Sequence, residues 1–318
     1  MKRMGEASAF CPAGISSFFQ ICDEEADGRP IKDPERIGAR GGGFALSKGV
    51  FTEVRAVASK ESNIQIFIND KATCEAETTK TVAEMMLDRV DESYSLTIKH
   101  RVEVPIGAGF GSSAAGALTT ALALSKALNI HLTYNQIGKI AHVAEVLCKT
   151  GLGTVGPLMI GGCVITVEPG APGYALIDRI SISPNYKVIA GTFQPKLTKE
   201  FLSHVGRKKT INELGGKTVK AILEDPSLEN FLHLSKEFAL KTGLTSERCV
   251  RLMEEAEKAG AIGAAQNMVG EAVHAVVEAE KLGNVLKVFE RFLPRNKIIV
   301  ADIDFQGVKL VDGGHGEV

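Results

Sequence analysis

A mixed α+β chain of two domains is the fold the sequence predicts, on three observations. Its 318 residues are enough to bury two separate cores. A strand-like run from Leu96 to Val104 passes without a gap into a glycine-rich turn and a run of small helix formers, Ser112 to Leu124. Beyond the rigid Pro169 to Gly173 (PGAPG), strand and helix patterns mix as they do where helices pack on one side of a sheet. The expected division is 1–170 and 171–305, with 306–318 a glycine-rich flexible tail.

Taken in order, Ala7 to Ile21 has strand character around a central Pro-Ala-Gly, and Asp23, Glu24 and Glu25 read as a solvated turn. In the next segment, Ile37 to Val50, Gly41, Gly42 and Gly43 are flanked by Arg40 and Lys48. Such a loop can enclose a small anion, or it can be a hairpin connection. Val50 to Ala58 and Ile64 to Ile68 alternate as a strand pair, and Thr79 to Val90 has helical spacing.

The stretch Pro105 to Leu124, PIGAGFGSSAAGALTTALAL, is the most informative in the chain. Gly107, Gly109 and Gly111 permit positive φ values and remove the Cβ atoms that would keep a phosphate from the backbone. The helix that follows turns its free N–H groups and the positive end of its dipole toward that turn, which makes an anion site. No lysine follows Gly111, so the GxxxxGK[ST] cradle is excluded. Thr133 with Gln136 predicts a capping box for a helix through about Lys149, with Ile137, Ile140, Ala141, Ala144 and Leu147 as its apolar stripe. Glu145 falls off the centre of that stripe, where the residues alone read it as solvated. Gly151 to Gly156 matches GxGxxG, but it follows a helix and so does not predict a dinucleotide site.

Gly161 to Glu168 reads as a strand, as do Ala175 to Ile182 and Lys187 to Thr192. A polar helical region spans Thr198 to Lys258, clearest at Leu228 to Lys241 and Ser246 to Ala259. Strand character returns over Ala261 to Val277, helix over Leu282 to Phe292 and strand over Lys297 to Asp304.

Lys plus Arg at 37 against Asp plus Glu at 38 offers no basic excess for a nucleic-acid backbone. The start MKRMGEASAF lacks the apolar core of a signal peptide, and the run after Ala114 is broken by Thr119, Thr120 and Lys126 short of a membrane span. A soluble cytoplasmic protein is therefore expected, with no membrane partner. Its six cysteines show no CxxC spacing and read as reduced, and the seven histidines include no HExxH.

Strand-leading PxxxGFGSSAAG resembles the second motif of the GHMP kinases, near PxGxGLGSSAA. Cys11 to Gly14 looks like a remnant of the family's first motif, without the basic residue usual after its glycine, and Gly260, Gly263 and Gly270 like a remnant of the third. AFCPAGISSFF, GARGGGFALSKG, GLGTVGPLMIGG and EPGAPG are most similar to the archaeal members that phosphorylate pantoate on the route to coenzyme A. The resemblance implies a ribosomal-protein-S5-like domain followed by a ferredoxin-like one, and a kinase using ATP and Mg²⁺. It implies that Pro105, Gly107, Gly109, Gly111, Ser112 and Ser113 hold the nucleotide, and that Ser112 or Ser113 with Glu145 holds the metal, Ser113 and Glu145 being the catalytic pair. Arg40 and Lys48 are then expected at the pantoate carboxylate. The turn Gly153 to Gly156 lacks the family's usual aspartate, so the proton acceptor is open. A mevalonate, homoserine or shikimate kinase, a non-catalytic nucleotide sensor and a homodimer also stay open at this stage.

Overall fold

The structure is a computed structural model that describes residues 4–194 and 205–312. Two long strands, β1 (Met4–Cys22) and β2 (Gly38–Ala58), pair antiparallel from Met4 opposite Val57 to Cys22 opposite Gly38. The far half of β2, Val50 to Ala58, pairs with β5 (Tyr94–Val102), while Gly41 to Phe44 pair with β6 (Cys163–Glu168). Gly41 to Gly43 are thus interior strand residues and not a loop. They are glycines because of close approach: a Cβ on Gly43 would lie 1.7 Å from the Ile15 carbonyl oxygen, and one on Gly42 2.7 Å from the Phe231 ring.

β3 (Asn63–Ile68), with the short β4 (Lys71–Ala72) at its edge, runs parallel to β5, which separates it from β2. The expected β2–β3 pair is therefore not formed, since a parallel partner needs a crossover and α1 (Glu77–Leu87) supplies it. Against β1 and β2 lies α2 (Ser112–Ala127), buried from Ala114 to Ser125. α3 (Tyr134–Cys148) follows, opened by the expected capping box: the Gln136 N–H donates to Thr133 Oγ1 at 3.3 Å and the Thr133 N–H to Gln136 Oε1 at 2.8 Å. After α4 (Val155–Ile160) and β6, β7 (Leu176–Ile180) pairs with β6.

The second sheet begins only at β8 (Tyr186–Gln194). Among the described residues three helices follow, α5 (Val205–Glu224), α6 (Leu228–Lys241) and α7 (Glu247–Lys258), then β9 (Gly263–Gln266), β10 (Glu271–Glu278), α8 (Leu282–Phe292) and β11 (Ile298–Asp302). The antiparallel order β11-β8-β10-β9 places these strands fourth, first, third, second, the ferredoxin-like arrangement. Residues 198–204 of the expected helical region lie outside the described residues.

Two of the expected boundaries move. Because β7 hydrogen-bonds to β6, the first sheet continues past 170. The chain also returns to that sheet: β12 (Lys309–Val311) pairs with β1, Ser8 opposite Val311 and Phe10 opposite Lys309, so residues up to 311 are pinned and not a tail. Residues 313–318 lie outside the described residues. Between the sheets, Phe18 of β1, Phe44 of β2 and Phe231 of α6 form an edge-to-face cluster, with Phe231 centroids 5.8 Å from Phe18 and 5.4 Å from Phe44. That apolar joint fixes the walls of the pocket described next.

Candidate functional site

The strand β5 ends at the glycine turn, and the turn is built as its sequence demands. Gly107, Gly109 and Gly111 have φ of 73°, 79° and 60°, and Gly111 is the N-cap of α2, with no side chain capping the helix. The first N–H groups of α2 are thereby left open toward a pocket that Ser112, Ser113 and Ala114 line. Behind the turn, the Gly14 N–H donates to the Phe110 carbonyl at 3.0 Å, so the Pro12 to Gly14 segment of β1 is the backing of the loop. Pro105 starts the turn half-buried and is not in the pocket wall.

At the end of α3, Lys149 takes a left-handed conformation (φ 56°) that brings the chain back over the last helical turn. Thr150 is swung under Glu145: its Oγ1 donates to Glu145 Oε1 at 2.6 Å, while Ser113 Oγ donates to the same oxygen at 2.5 Å. Thr78 of α1 joins them, its Oγ1 3.2 Å from Ser113 Oγ and 3.0 Å from Thr150 Oγ1. Glu145 is 3 % exposed, so the solvated reading of this position is corrected. Burial raises its carboxyl above the ordinary value, and the bonds from Ser113 and Thr150 only partly offset this. Ser113, not Ser112, is the loop serine that reaches Glu145.

Gly151 makes room for the carboxylate, since a Cβ there would lie 2.2 Å from Glu145 Oε2. Gly151→Ala is therefore expected to displace Glu145, lowering turnover by about tenfold or more and stability by about 1–3 kcal/mol. Steady-state rates and melting curves check both. Wild-type turnover in this variant would show that the position of the carboxylate is unimportant.

Arg40, also in the pocket wall, lies on β2 and pairs with Glu168 Oε2 at 2.9 Å, while its Nε is buried without a hydrogen-bond partner. Lys48 is not brought to the pocket. Pro12 faces Gly49 and Ala13 faces Leu46, so Ser47 and Lys48 are extruded as a bulge and are exposed. Among the described residues, Arg40 is the one basic and Glu145 the one acidic side chain in the pocket wall. Of the third-motif glycines only Gly270 reaches it, within the turn 267–270 between β9 and β10. Thr78, Thr150 and Gly151 were not foreseen; the hydroxyl of Thr150, placed between a helix end and a glycine, was the available signal. The apolar wall of Ile15, Phe19 and Ile21 on β1 was not foreseen either.

A family model described as the GHMP kinases N terminal domain matches residues 77–162. The pantoate kinase of Methanocaldococcus jannaschii is 31% identical over 281 residues, covering 88% of this chain and 96% of that protein. That of Thermococcus kodakarensis is 33% identical, covering 87% and 91%. A solved structure described as a phosphotransferase related to the CoA biosynthesis pathway superposes with a TM-score of 0.85 at 30% identity, over 97% of this chain and 99% of its own.

Proposed function

This chain belongs to the GHMP kinases and, among them, to the pantoate kinases, and from that premise we propose that ATP and pantoate meet in the pocket between the glycine turn and Arg40. The observation that carries this reading is what one pocket wall brings together: open helix N–H groups, the Ser113–Glu145 pair and, among the described residues, a single arginine. The glycine turn and the start of α2 would take the nucleotide phosphates. Arg40, with a donor left unpaired, would take the pantoate carboxylate, and Phe19 and Ile21 would lie against its methyl groups.

The donor set suits Mg²⁺, which takes one or two carboxylate or hydroxyl oxygens and completes its shell with phosphate and water. Ser113 Oγ and the Glu145 carboxylate would hold it, and among the described residues no group of three or more acidic, histidine or cysteine side chains is placed to hold a metal ion. When bound, the ion neutralises charge on the phosphates. Ser113 and Thr150 keep Glu145 aimed. No second carboxylate and no histidine stands in the wall among the described residues, so as the new P–O bond forms the hydroxyl proton would pass to a phosphoryl oxygen or to solvent.

ADP release measured with pantoate, mevalonate, homoserine and shikimate tests the reading. Pantoate is expected to be turned over far faster than the others. Arg40→Ala is expected to raise the pantoate KM by about 10- to 100-fold, the worth of a charged hydrogen bond, with little change for ATP. Lys48→Ala, on the exposed bulge, is the control and keeps both constants. An inert pantoate with another hydroxy acid turned over would overturn the assignment of substrate.

A further inference from the structure

The triple glycine of β2 has a partner feature on β1. Ser16 faces Gly43 and Phe18 faces Gly42, so Ser17 has no partner and forms a bulge. A bulge re-aims its side chain. Ser17, fully buried, points at His274 of β10 across the joint between the sheets, with Oγ 3.0 Å from His274 Nε2. His274, also fully buried, places Nδ1 2.9 Å from Oδ1 of Asn267, which opens the turn 267–270. As Asn267 Oδ1 can only accept, Nδ1 carries the proton and Nε2 accepts from Ser17. Burial pushes the imidazole down to about 3, so this tautomer is held neutral at any physiological pH.

The turn that this chain seats is one wall of the pocket, and it is pressed on the glycine loop. A Cβ on Gly109 would lie 3.3 Å from the Met268 carbonyl oxygen, and one on Gly270 2.9 Å from that of Ala108. The Met268 N–H donates to the Ser16 carbonyl at 2.7 Å, one residue before the bulge. We propose that Ser17 and His274 are positioning residues for phosphoryl transfer: they clamp the turn 267–270 of the second domain against the glycine loop of the first without touching either substrate. The clamp rests on the reading of that loop as the nucleotide site, and it assigns the bulge opposite Gly42 and Gly43 a purpose in ATP binding.

Four variants of the full chain test it, with kcat, the KM for ATP, the KM for pantoate and the melting temperature measured for each. His274→Phe keeps a ring and deletes both nitrogens, Ser17→Ala deletes one end of the clamp, and His274→Asn restores a donor near Nδ1. Ser235→Ala removes a buried hydroxyl bonded to the Phe231 carbonyl in α6, away from the pocket wall, and controls for lost stability. His274→Phe and Ser17→Ala are expected to raise the ATP KM or lower kcat by about tenfold or more, with the pantoate KM unchanged, and His274→Asn, which regains the bond to Asn267 but not the one to Ser17, to lose no more than Ser17→Ala does. Ser235→Ala is expected to melt lower with wild-type kinetics. Variants at 17 and 274 that behave like Ser235→Ala overturn the proposal, as does an equal rise in both KM values. Should His274→Phe fail to fold, wild-type kinetics in Ser17→Ala overturns it equally. Failure of the underlying reading looks different: the wild-type protein itself would not consume ATP with pantoate.

Discussion

Glu145→Gln is expected to lower turnover by about 100-fold or more and, at neutral pH, to raise the melting temperature. The rate loss follows from the pocket wall, where among the described residues this is the single carboxylate, held by Ser113 and Thr150. Glutamine keeps an acceptor for those hydroxyls and the same shape, but it has no charge to offer a cation beside the phosphates, an effect worth several kcal/mol in phosphoryl transfer. The stability gain follows from burial. The folded state raises the carboxyl above its unfolded value, so the folded protein binds the proton more tightly. Protonation therefore favours folding fully below the unfolded value, and this advantage is lost as pH rises toward the folded value; above it a buried charge is left. Glutamine has no such charge, so the gap in melting temperature between variant and wild type should open on going from about pH 4 to neutrality. A surface helix position would move stability by less than about 0.5 kcal/mol at any pH. Melting curves at several pH values, beside the Mg²⁺ dependence of the rate, measure both halves. Wild-type turnover, or a gap that does not vary with pH, would remove Glu145 from this role.

What was legible in the sequence was what neighbours in the chain determine. The glycine turn needed only its own alternating residues to take three positive φ values, and the capping box of α3 needed only Thr133 and Gln136. The bounds of α6 and α8 follow from their own apolar spacing. The pairings between distant residues were not legible. Glu145 lies off the centre of the stripe of α3, and it is buried because α2 brings Ser113 and the left-handed Lys149 brings Thr150 to its carboxylate. Three glycines in a row signal a turn locally, but here they let β2 pass the backbone of β1, a fact that depends on the register of two long strands. Likewise nothing near residue 310 announces β12, whose partner Ala9 is some three hundred residues earlier, or about the length of the chain.

Valine at Gly109 or Gly111 is expected to remove ATP binding, a loss of about 100-fold or more in affinity, while most of the fold survives. Two separate causes act at each position. The backbone at both is left-handed, with φ of 79° and 60°, where a β-branched residue is strained by about 1–3 kcal/mol. A side chain also meets neighbours: at Gly111 a Cβ would lie 2.8 Å from Thr154 Cγ2 and 3.3 Å from the Gly14 carbonyl oxygen, and at Gly109 3.3 Å from that of Met268. Relief at Gly111 would tilt the first turn of α2 and misdirect its N–H groups, whereas relief at Gly109 would push the turn 267–270 off the loop. The control lies in the same helix. Gly116 has an ordinary helical backbone and its Cβ would find its nearest neighbour, His100, at 3.7 Å, so Gly116→Ala should leave ATP affinity intact and add about 0.5–1 kcal/mol of stability. Calorimetric titration of ATP into each folded variant separates the cases. Undiminished affinity in folded Gly109→Val and Gly111→Val would take the phosphates away from this loop, and the open helix terminus of α2 would then need another ligand.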